Sequence, residues 1–467
     1  MLAAIEIPVW GAVIMAGLSV VAVLDRILAP SVRWFLRRRF LRAVDRLNKR
    51  LQLKLQPFKL MRRRDMIDRL THDPKVMEAV VERAEEQKVP LYVAMREAER
   101  HAREIVPSFS AFAYFGFATR AAKWLSRGIF RVQLGRYDRE VLERLDPGAT
   151  VIFVMNHRSN MDYVLVTYLV AERSALSYAV GEWARVWPLQ GLIRALGGYF
   201  IRRRYRNALY RRILARYVQM ATEGGVTQAV FPEGGLTLDG RLRTPKLGLL
   251  SYILEDFEPG RSREVIFVPV GVNYDRVLED RILLESAAAP ERRFLFRPWA
   301  FVKFAARQIR LRLMRRFHRG YASVGFGDPL HLSRFVAAEG RDDAAIDHLG
   351  TALMRRVGLA VPVLPVPLVA ALITRADRPL TETGLVTAVT RAQAKLAAVG
   401  AHVHVPEEGA VELARTGLRM LTRRHLVLEA PAGYSANAKE APLLAYYGNS
   451  IIHLLPETDW SDCLEGA

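Results

Sequence analysis

Cysteine is almost missing from this chain. Cys463 is the single cysteine among 467 residues, so no intrachain disulfide can form and a thiolate-rich zinc site is excluded. That usage fits a reducing compartment. No internal repeat and no low-complexity tract is present, which removes solenoids and biased linkers from consideration. Acidic residues are in deficit. Asp and Glu number 48 against 69 Lys and Arg, a formal charge of +21, with a sequence pI near 10.3. Such an excess calls for an anionic partner: nucleic acid, a membrane surface or a phosphorylated substrate. Hydrophobic residues make up 51% of the chain, enough to build a sizeable packed core rather than a disordered chain.

Long uncharged runs are scarce too. The notable one is IPVWGAVIMAGLSVVAVL, residues 7–24, 18 residues without a charge and at the lower limit for a membrane span. Almost nothing basic precedes it and no small-residue cleavage site follows, so a removed signal peptide is not expected. From Arg26 to Arg69 there are 15 Lys and Arg against 3 Asp and Glu. More than half of the excess charge therefore sits in under a tenth of the length. The pattern predicts an anchor, spanning or lying on the cell membrane, followed by a basic collar on phospholipid headgroups. The rest of the chain then faces the cytoplasm. Leu36, Phe40, Val44, Leu47 and Leu51 recur at helical spacing in the collar, which suits an interfacial helix or a buried one with a basic outer face. Residues 109–130, FSAFAYFGFATRAAKWLSRGIF, fit two readings, a second membrane-contact helix or a core helix.

From about residue 131 short β-branched runs alternate with helical stretches. That texture predicts an α/β domain, a mostly parallel sheet flanked by helices. The expected division is 1–64 membrane anchor and basic amphipathic segment, 65–130 helical N-terminal region, 131–335 catalytic domain and 336–467 mainly helical C-terminal region. VPVLPVPLVAALI, 361–373, holds three prolines and reads as an extended connector. LTETGLVTAVTRAQAKLAAVGAHVHVP resembles the helix–turn–helix–strand of a winged-helix DNA reader. The basic charge lies elsewhere, so no nucleic-acid partner is expected. His402 and His404 alternate without further ligands nearby and read as ordinary polar positions, so no metal is expected.

The chemistry concentrates in VIFVMNHRSNMDYVLV, residues 151–166. The apolar run is a strand, and Ser159 or Asn160 is a suitable N-cap for a following helix. His157 then lies in the turn and Asp162 in the first helical turn, where the dipole favours a carboxylate. Asp162 can reach back to His157, hold one tautomer and leave the other ring nitrogen as a base. Ser159 is a possible nucleophile, but nothing in the sequence orients it. Direct base catalysis follows: the His deprotonates a substrate hydroxyl, which attacks an acyl donor. Alone, the His-x4-Asp spacing also fits a helix cap. Three further stretches, Gly197–Arg204, Phe231–Gly235 and Val268–Tyr274, each end a strand on the sheet edge where α/β proteins bind ligands. Arginine forks in the first of them suit phosphate.

Here the sequence resembles the glycerolipid acyltransferases with the NHxxxxD signature, and within them the membrane-bound glycerol-3-phosphate and dihydroxyacetone-phosphate branch. HRSNMD matches that branch's HRSxMD, GGYFIRR its GxxFIRR block, FPEGG its glutamate-glycine block and VPVGVNYDRVLED its fourth. LLAYYGNSIIHLL, 443–455, is similar to the C-terminal segment of the bacterial enzymes, although this chain is much shorter than their long forms. The resemblance implies transfer of a fatty acyl group from acyl-CoA or acyl carrier protein to glycerol 3-phosphate, giving lysophosphatidate, with no bound cofactor. The alternative acceptor is lysophosphatidate or another lipid.

The resemblance also implies roles. His157 is the base and Asp162 its partner. Arg202 and Arg203 bind the acceptor's phosphate, Glu233 and Gly234 shape the catalytic pocket, and Pro269 and Tyr274 line the acyl-donor side. Arg158, Ser159 and Gly235 are grouped with the substrate contacts, and backbone N–H groups near Gly234 and Gly235 are candidates for an oxyanion hole. One block departs from the pattern. The family continues as GxRSR, whereas Leu236 and Leu238 occupy the two arginine positions here. Either Arg241, Arg243 or Lys246 restores the charge, or the acceptor differs.

Overall fold

The β-branched runs form strands that collect in one sheet. The computed structural model describes residues 38, 42, 48, 56–134, 145–170, 175–181, 189–202, 207–288, 320–404 and 409–466. The chain divides into two units, Met1–Leu55 and Gln56–Ala467. In the first, Arg42 Nε donates to the carbonyl of Arg38 at 3.4 Å. The expected anchor at 7–24, most of the basic collar and Arg203 lie outside the described residues. Among the described residues no helix is long and apolar enough to cross a membrane.

The second unit is built on β1 (Arg131–Leu134), β2 (Thr150–Met155), β3 (Ser177–Gly181), β4 (Gly198–Ile201), β5 (Gln228–Val230), β6 (Val265–Tyr274), β7 (Tyr321–Phe326) and β8 (Leu330–His331). They lie in the order β1-β7-β6-β2-β5-β3-β4, with β8 also on β6. β2 to β6 run parallel, and β7 and β8 pair with β6 antiparallel. β2, β3, β5 and β6 are buried along their whole length, as expected of strands covered by helices on both faces. The order turns at β2: β5, β3 and β4 lie on one side, β6 and β7 on the other. The carboxyl end of β2 is therefore a switch point, where open α/β sheets leave a crevice.

Helices Arg63–Thr71, Pro74–Gln87 and Leu91–Ile105 pack their apolar residues with helix Ala208–Glu223 into one cluster. Beyond the sheet, the described residues of the C-terminal region form helices Asp343–Ala360, Pro365–Arg375, Glu382–Ala398 and Gly409–Arg423, several shorter ones, and a β9–β10 hairpin (Val427–Ala430, Gly433–Ala436).

Two expectations change. The proline-rich stretch is a helix, Pro365–Arg375, buried from Pro365 to Ile373. Pro365 and Pro367 sit in its first turn, where backbone N–H groups have no intrahelical partner to lose. The suspected helix–turn–helix is one helix, Glu382–Ala398. Gly384 lies in its first turn, and its N–H donates to the Thr381 cap at 3.0 Å. The stretch Val268–Tyr274 ends a strand as expected, with Pro269 inside it. β6 continues to Tyr274 because the missing N–H falls between the β8 and β7 pairings. There the Pro269 carbonyl accepts from Gly327 N at 2.9 Å, on the side where the chain steps between those strands.

Candidate active site

β2 ends in Asn156, whose buried side chain bridges to β6. Its Nδ2 donates to the Val272 carbonyl at 3.0 Å and its Oδ1 accepts from Val272 N at 2.7 Å. This clamp fixes where the chain leaves the sheet, and His157 follows it. Helix Met161–Val170 is capped by Ser159 Oγ, which accepts from Met161 N at 3.1 Å. Asp162 thus lies in the first turn and faces back. Its Oδ2 accepts from His157 Nδ1 at 2.9 Å, Arg158 N at 2.7 Å and Ser159 N at 3.0 Å. Its Oδ1 accepts from the Tyr274 hydroxyl at 2.7 Å. The imidazole lies against Phe231, ring centroids 4.3 Å apart, and meets Tyr163 edge-on. With Nδ1 committed and the ring plane packed, Nε2 is the position left for proton transfer.

The turn after β5 closes on the same residue. His157 N donates to Glu233 Oε1 at 3.4 Å, and Thr237 N donates to the His157 carbonyl at 3.0 Å. Glu233 is buried, and that burial pushes its carboxyl up to about 8 against the opposing His157 N–H and the Arg158 charge. Its Oε2 has no hydrogen-bond partner among the described residues. Gly234 has φ +66°, and a Cβ there would lie 2.6 Å from Lys246 Cδ. The left-handed turn favours glycine, and the lysine stem crosses the space a Cβ would take. Buried Arg158 donates from Nη1 to the Gly240 carbonyl at 2.7 Å and stands 5.1 Å from the Tyr446 ring centroid. Its Nε and Nη2 find no partner among the described residues. In the described residues there is no group of three or more His, Cys, Asp or Glu able to hold a metal ion.

Residues 137–273 match the family model described as acyltransferase, and residues 307–457 match that of the glycerol-3-phosphate acyltransferase C-terminal region. The first match covers most of the sheet and the second the C-terminal helices. Proteins named glycerol-3-phosphate acyltransferase are similar across most of it. That of Ectopseudomonas mendocina is 28% identical, covering 84% of this chain and 49% of the relative. That of Xanthomonas campestris is 27% identical, covering 86% and 47%. The chain thus spans about half the length of the curated relatives it matches. A crystal structure of the 1-acyl-sn-glycerophosphate acyltransferase of Thermotoga maritima aligns with 56% of this chain and 80% of that one, at 19% identity and a TM-score of 0.31.

The sheet and its loops place the other expected residues as follows. Arg202 ends β4, three strand spacings or about 14 Å from β2, and its fork is engaged. Nε and Nη2 donate to the two carboxylate oxygens of Glu104, each at 2.6 Å. That pairing ties β4 to helix Leu91–Ile105 and occupies the group expected to grip a phosphate. Tyr274 is fully buried, and its hydroxyl is held on Asp162, so it acts on the His–Asp pair. Pro269 is buried in mid-strand. The Gly234 N–H is committed to the Phe231 carbonyl at 3.0 Å and is not available to an oxyanion. Gly235 follows it, half-buried in the same turn. Ser159 Oγ donates to Glu279 Oε2 at 3.0 Å, away from the histidine. Lys246 lies over the Glu233 turn, and its N–H donates to the Pro232 carbonyl at 2.7 Å. Arg241 is exposed, its N–H donating to Asp239 Oδ1. Arg243 Nη1 reaches the Leu236 carbonyl at 3.5 Å.

Several residues that matter carried no sequence signal. Glu279 accepts from Asn160 N at 2.7 Å as well as from Ser159, placing a carboxyl at the helix N-terminus, and burial raises its pKa. The segment 443–455 also has a structural meaning. The Tyr446 hydroxyl donates to the Arg158 carbonyl at 3.4 Å, the Tyr447 hydroxyl accepts from Val277 N at 3.1 Å, and Asn449 Nδ2 donates to the Asp239 carbonyl at 2.9 Å. The C-terminal region is therefore the back wall of the site.

Proposed function

We propose that this chain transfers a fatty acyl group from acyl-CoA or acyl carrier protein to glycerol 3-phosphate, giving lysophosphatidate. The observation that carries the reading is the His157–Asp162 pair, held by Tyr274 and two backbone amides with Nε2 left as the base. An acceptor hydroxyl gives its proton to Nε2 as its oxygen attacks the thioester carbonyl. The tetrahedral intermediate expels the thiolate, which takes the proton back from the imidazolium. General-base help of this kind is worth roughly 10²–10⁴-fold. No bound cofactor takes part in these steps.

Three cations support a phosphorylated acceptor. Arg243 folds back to the backbone of Leu236, one of the two positions where the family pattern has arginine. Lys246 crosses Gly234, and Arg158 keeps two open donors beside Glu233. A hydrogen bond to a charged group contributes about 1.5–3 kcal/mol, so this set can replace the missing pair. The product is a lipid, which suits a chain held at the cytoplasmic face of the cell membrane by residues 7–24 and the basic collar. Leu236 and Leu238 favour a second reading, in which the acceptor is lysophosphatidate.

The test uses membranes carrying the chain and a labelled long-chain acyl thioester. Glycerol 3-phosphate and lysophosphatidate are supplied separately, with His157→Ala as control. A His157-dependent product from glycerol 3-phosphate is expected. Full activity in a folded His157→Ala chain refutes the mechanism. Acylation of lysophosphatidate alone keeps the base and reassigns the acceptor.

A further inference from the structure

Residues 274–281, YDRVLEDR, lead from the end of β6 into the helix Asp280–Ala288. Their polar groups go by turns to two places. Tyr274 and Glu279 reach the catalytic turn. The Tyr274 hydroxyl donates to Asp162 Oδ1 at 2.7 Å, and Glu279 accepts from Asn160 N at 2.7 Å and Ser159 Oγ at 3.0 Å. Asp275, Val277 and Asp280 reach the C-terminal region. Asp275 Oδ1 accepts from Val366 N at 2.9 Å, at the start of helix Pro365–Arg375, and Val277 N donates to the Tyr447 hydroxyl at 3.1 Å. Asp280 Oδ2 accepts from Arg424 Nη2 at 2.6 Å and from the Tyr447 hydroxyl at 2.5 Å. Arg424 Nη1 donates to the same hydroxyl at 2.8 Å. That hydroxyl thus accepts two hydrogen bonds and gives one, the full capacity of a phenol.

Asp280 is 6% exposed, and a carboxylate so buried needs a paired cation. Arg424 supplies it and fixes where Asp280 lies. Glu279 is the preceding residue, its Cα about 3.8 Å away. The Glu279 carbonyl also accepts from Leu283 N at 3.0 Å, so it turns with the same helix. Its carboxyl in turn holds Ser159 and Asn160. These two residues separate His157 and Arg158 from Met161 and Asp162, and the His157–Asp162 hydrogen bond closes across them. We infer that Glu279 is a positioning residue for the His157–Asp162 pair, and that Arg424, from the C-terminal region, positions Glu279 through Asp280. Arg424 acts without touching the substrate. The catalytic consequence rests on the reading of His157 as the base; the relay of contacts does not.

The test compares Arg424→Ala, Glu279→Ala and Glu279→Gln in the full chain. Arg281→Ala is the control, because Arg281 is exposed and pairs outward with Glu440 at 3.0 Å. Two readouts are taken: kcat with KM for acceptor and thioester, referred to folded chain, and amide hydrogen exchange by peptide. Arg424→Ala and Glu279→Ala lower kcat about ten- to hundredfold, as a misplaced reacting group does. Both KM values stay within about twofold. Exchange speeds up at 158–160 and not in β2 or β6. Glu279→Gln keeps an oxygen for Asn160 N and recovers most of both readouts, and Arg281→Ala alters neither. Arg424→Lys, which keeps a charge but not the fork, replaces Arg424→Ala if that chain does not fold, and gives a smaller fall in kcat with the same local exchange. Unchanged kcat and unchanged exchange at 158–160 in the Arg424 variant overturn the relay. Faster exchange throughout β2 and β6 also overturns it, making Arg424 a general anchor of the fold. Full transfer by a folded His157→Ala chain refutes the base alone, since the exchange readout needs no catalysis.

Discussion

Replacing Tyr274 by Phe isolates one hydrogen bond. Phenylalanine keeps the ring and its contact with Phe130, and removes the hydroxyl that donates to Asp162 Oδ1 at 2.7 Å. Asp162 Oδ2 keeps three donors, whereas Tyr274 is the donor to Oδ1 among the described residues. Both side chains are 0% exposed, so water does not take the vacated place. The Tyr274 hydroxyl is also a dependable donor, because burial and the Asp162 charge hold its pKa well above the usual value. A lost hydrogen bond to a charged group costs about 1.5–3 kcal/mol. Expressed as stability, that is a fall of about 2–3 °C in melting temperature for a unit of this size. Expressed at the transition state, where Asp162 stabilises the imidazolium, it is about a ten- to hundredfold loss in kcat. The assay is thioester turnover at saturating acceptor with the thioester varied. The expected result is a fall in kcat with KM for the thioester within about twofold. A many-fold rise in that KM with kcat unchanged would refute the reasoning and make Tyr274 a wall of the donor pocket.

Other outcomes follow from the same geometry. Arg202→Ala leaves Glu104, 6% exposed, without its fork. Loss of one partner of a buried pair predicts about 3 kcal/mol lower stability by denaturant titration. KM for glycerol 3-phosphate then changes little, whereas Arg243→Ala with Lys246→Ala raises it at least tenfold. A large KM effect from Arg202→Ala in a stable chain would return the phosphate to that arginine. Glu233 and Asp275 are carboxyls that burial pushes up to about 8 and about 7 from ordinary values of 4.5 and 3.8. Each is protonated longer in the folded than in the unfolded chain. Stability is therefore highest below the unfolded values and falls as pH rises to the folded ones, by up to about 1.4 kcal/mol per pH unit per group. Glu233→Gln flattens the upper part of that fall, to pH 8, and an unchanged slope would show that the carboxyl is not held in its protonated form.

The linear sequence determined what lies close along the chain. A strand ending in a capped helix puts His157 and Asp162 five residues apart on one turn, and hydrogen bonding needs little more. The same locality made the parallel sheet legible, because buried strands alternating with helices leave a periodic pattern. Prolines misled where only position in an element matters. Pro365 and Pro367 are harmless in a first helical turn. Tertiary structure alone decided the partners of long side chains. Arg202 looks like a phosphate ligand until strand order sets it three strands from His157 and beside Glu104, 98 residues earlier in the chain. Tyr274 meets Asp162 only because β6 outruns β2 and carries its hydroxyl there. Arg243 returns to Leu236 through a loop whose turn depends on Gly240 packing under Tyr446, where a Cβ would lie 1.9 Å from the tyrosine carbonyl oxygen. The reason is physical. Backbone periodicity is written into every few residues, but the destination of a charged side chain is chosen by whichever opposite charge the packed elements bring within reach.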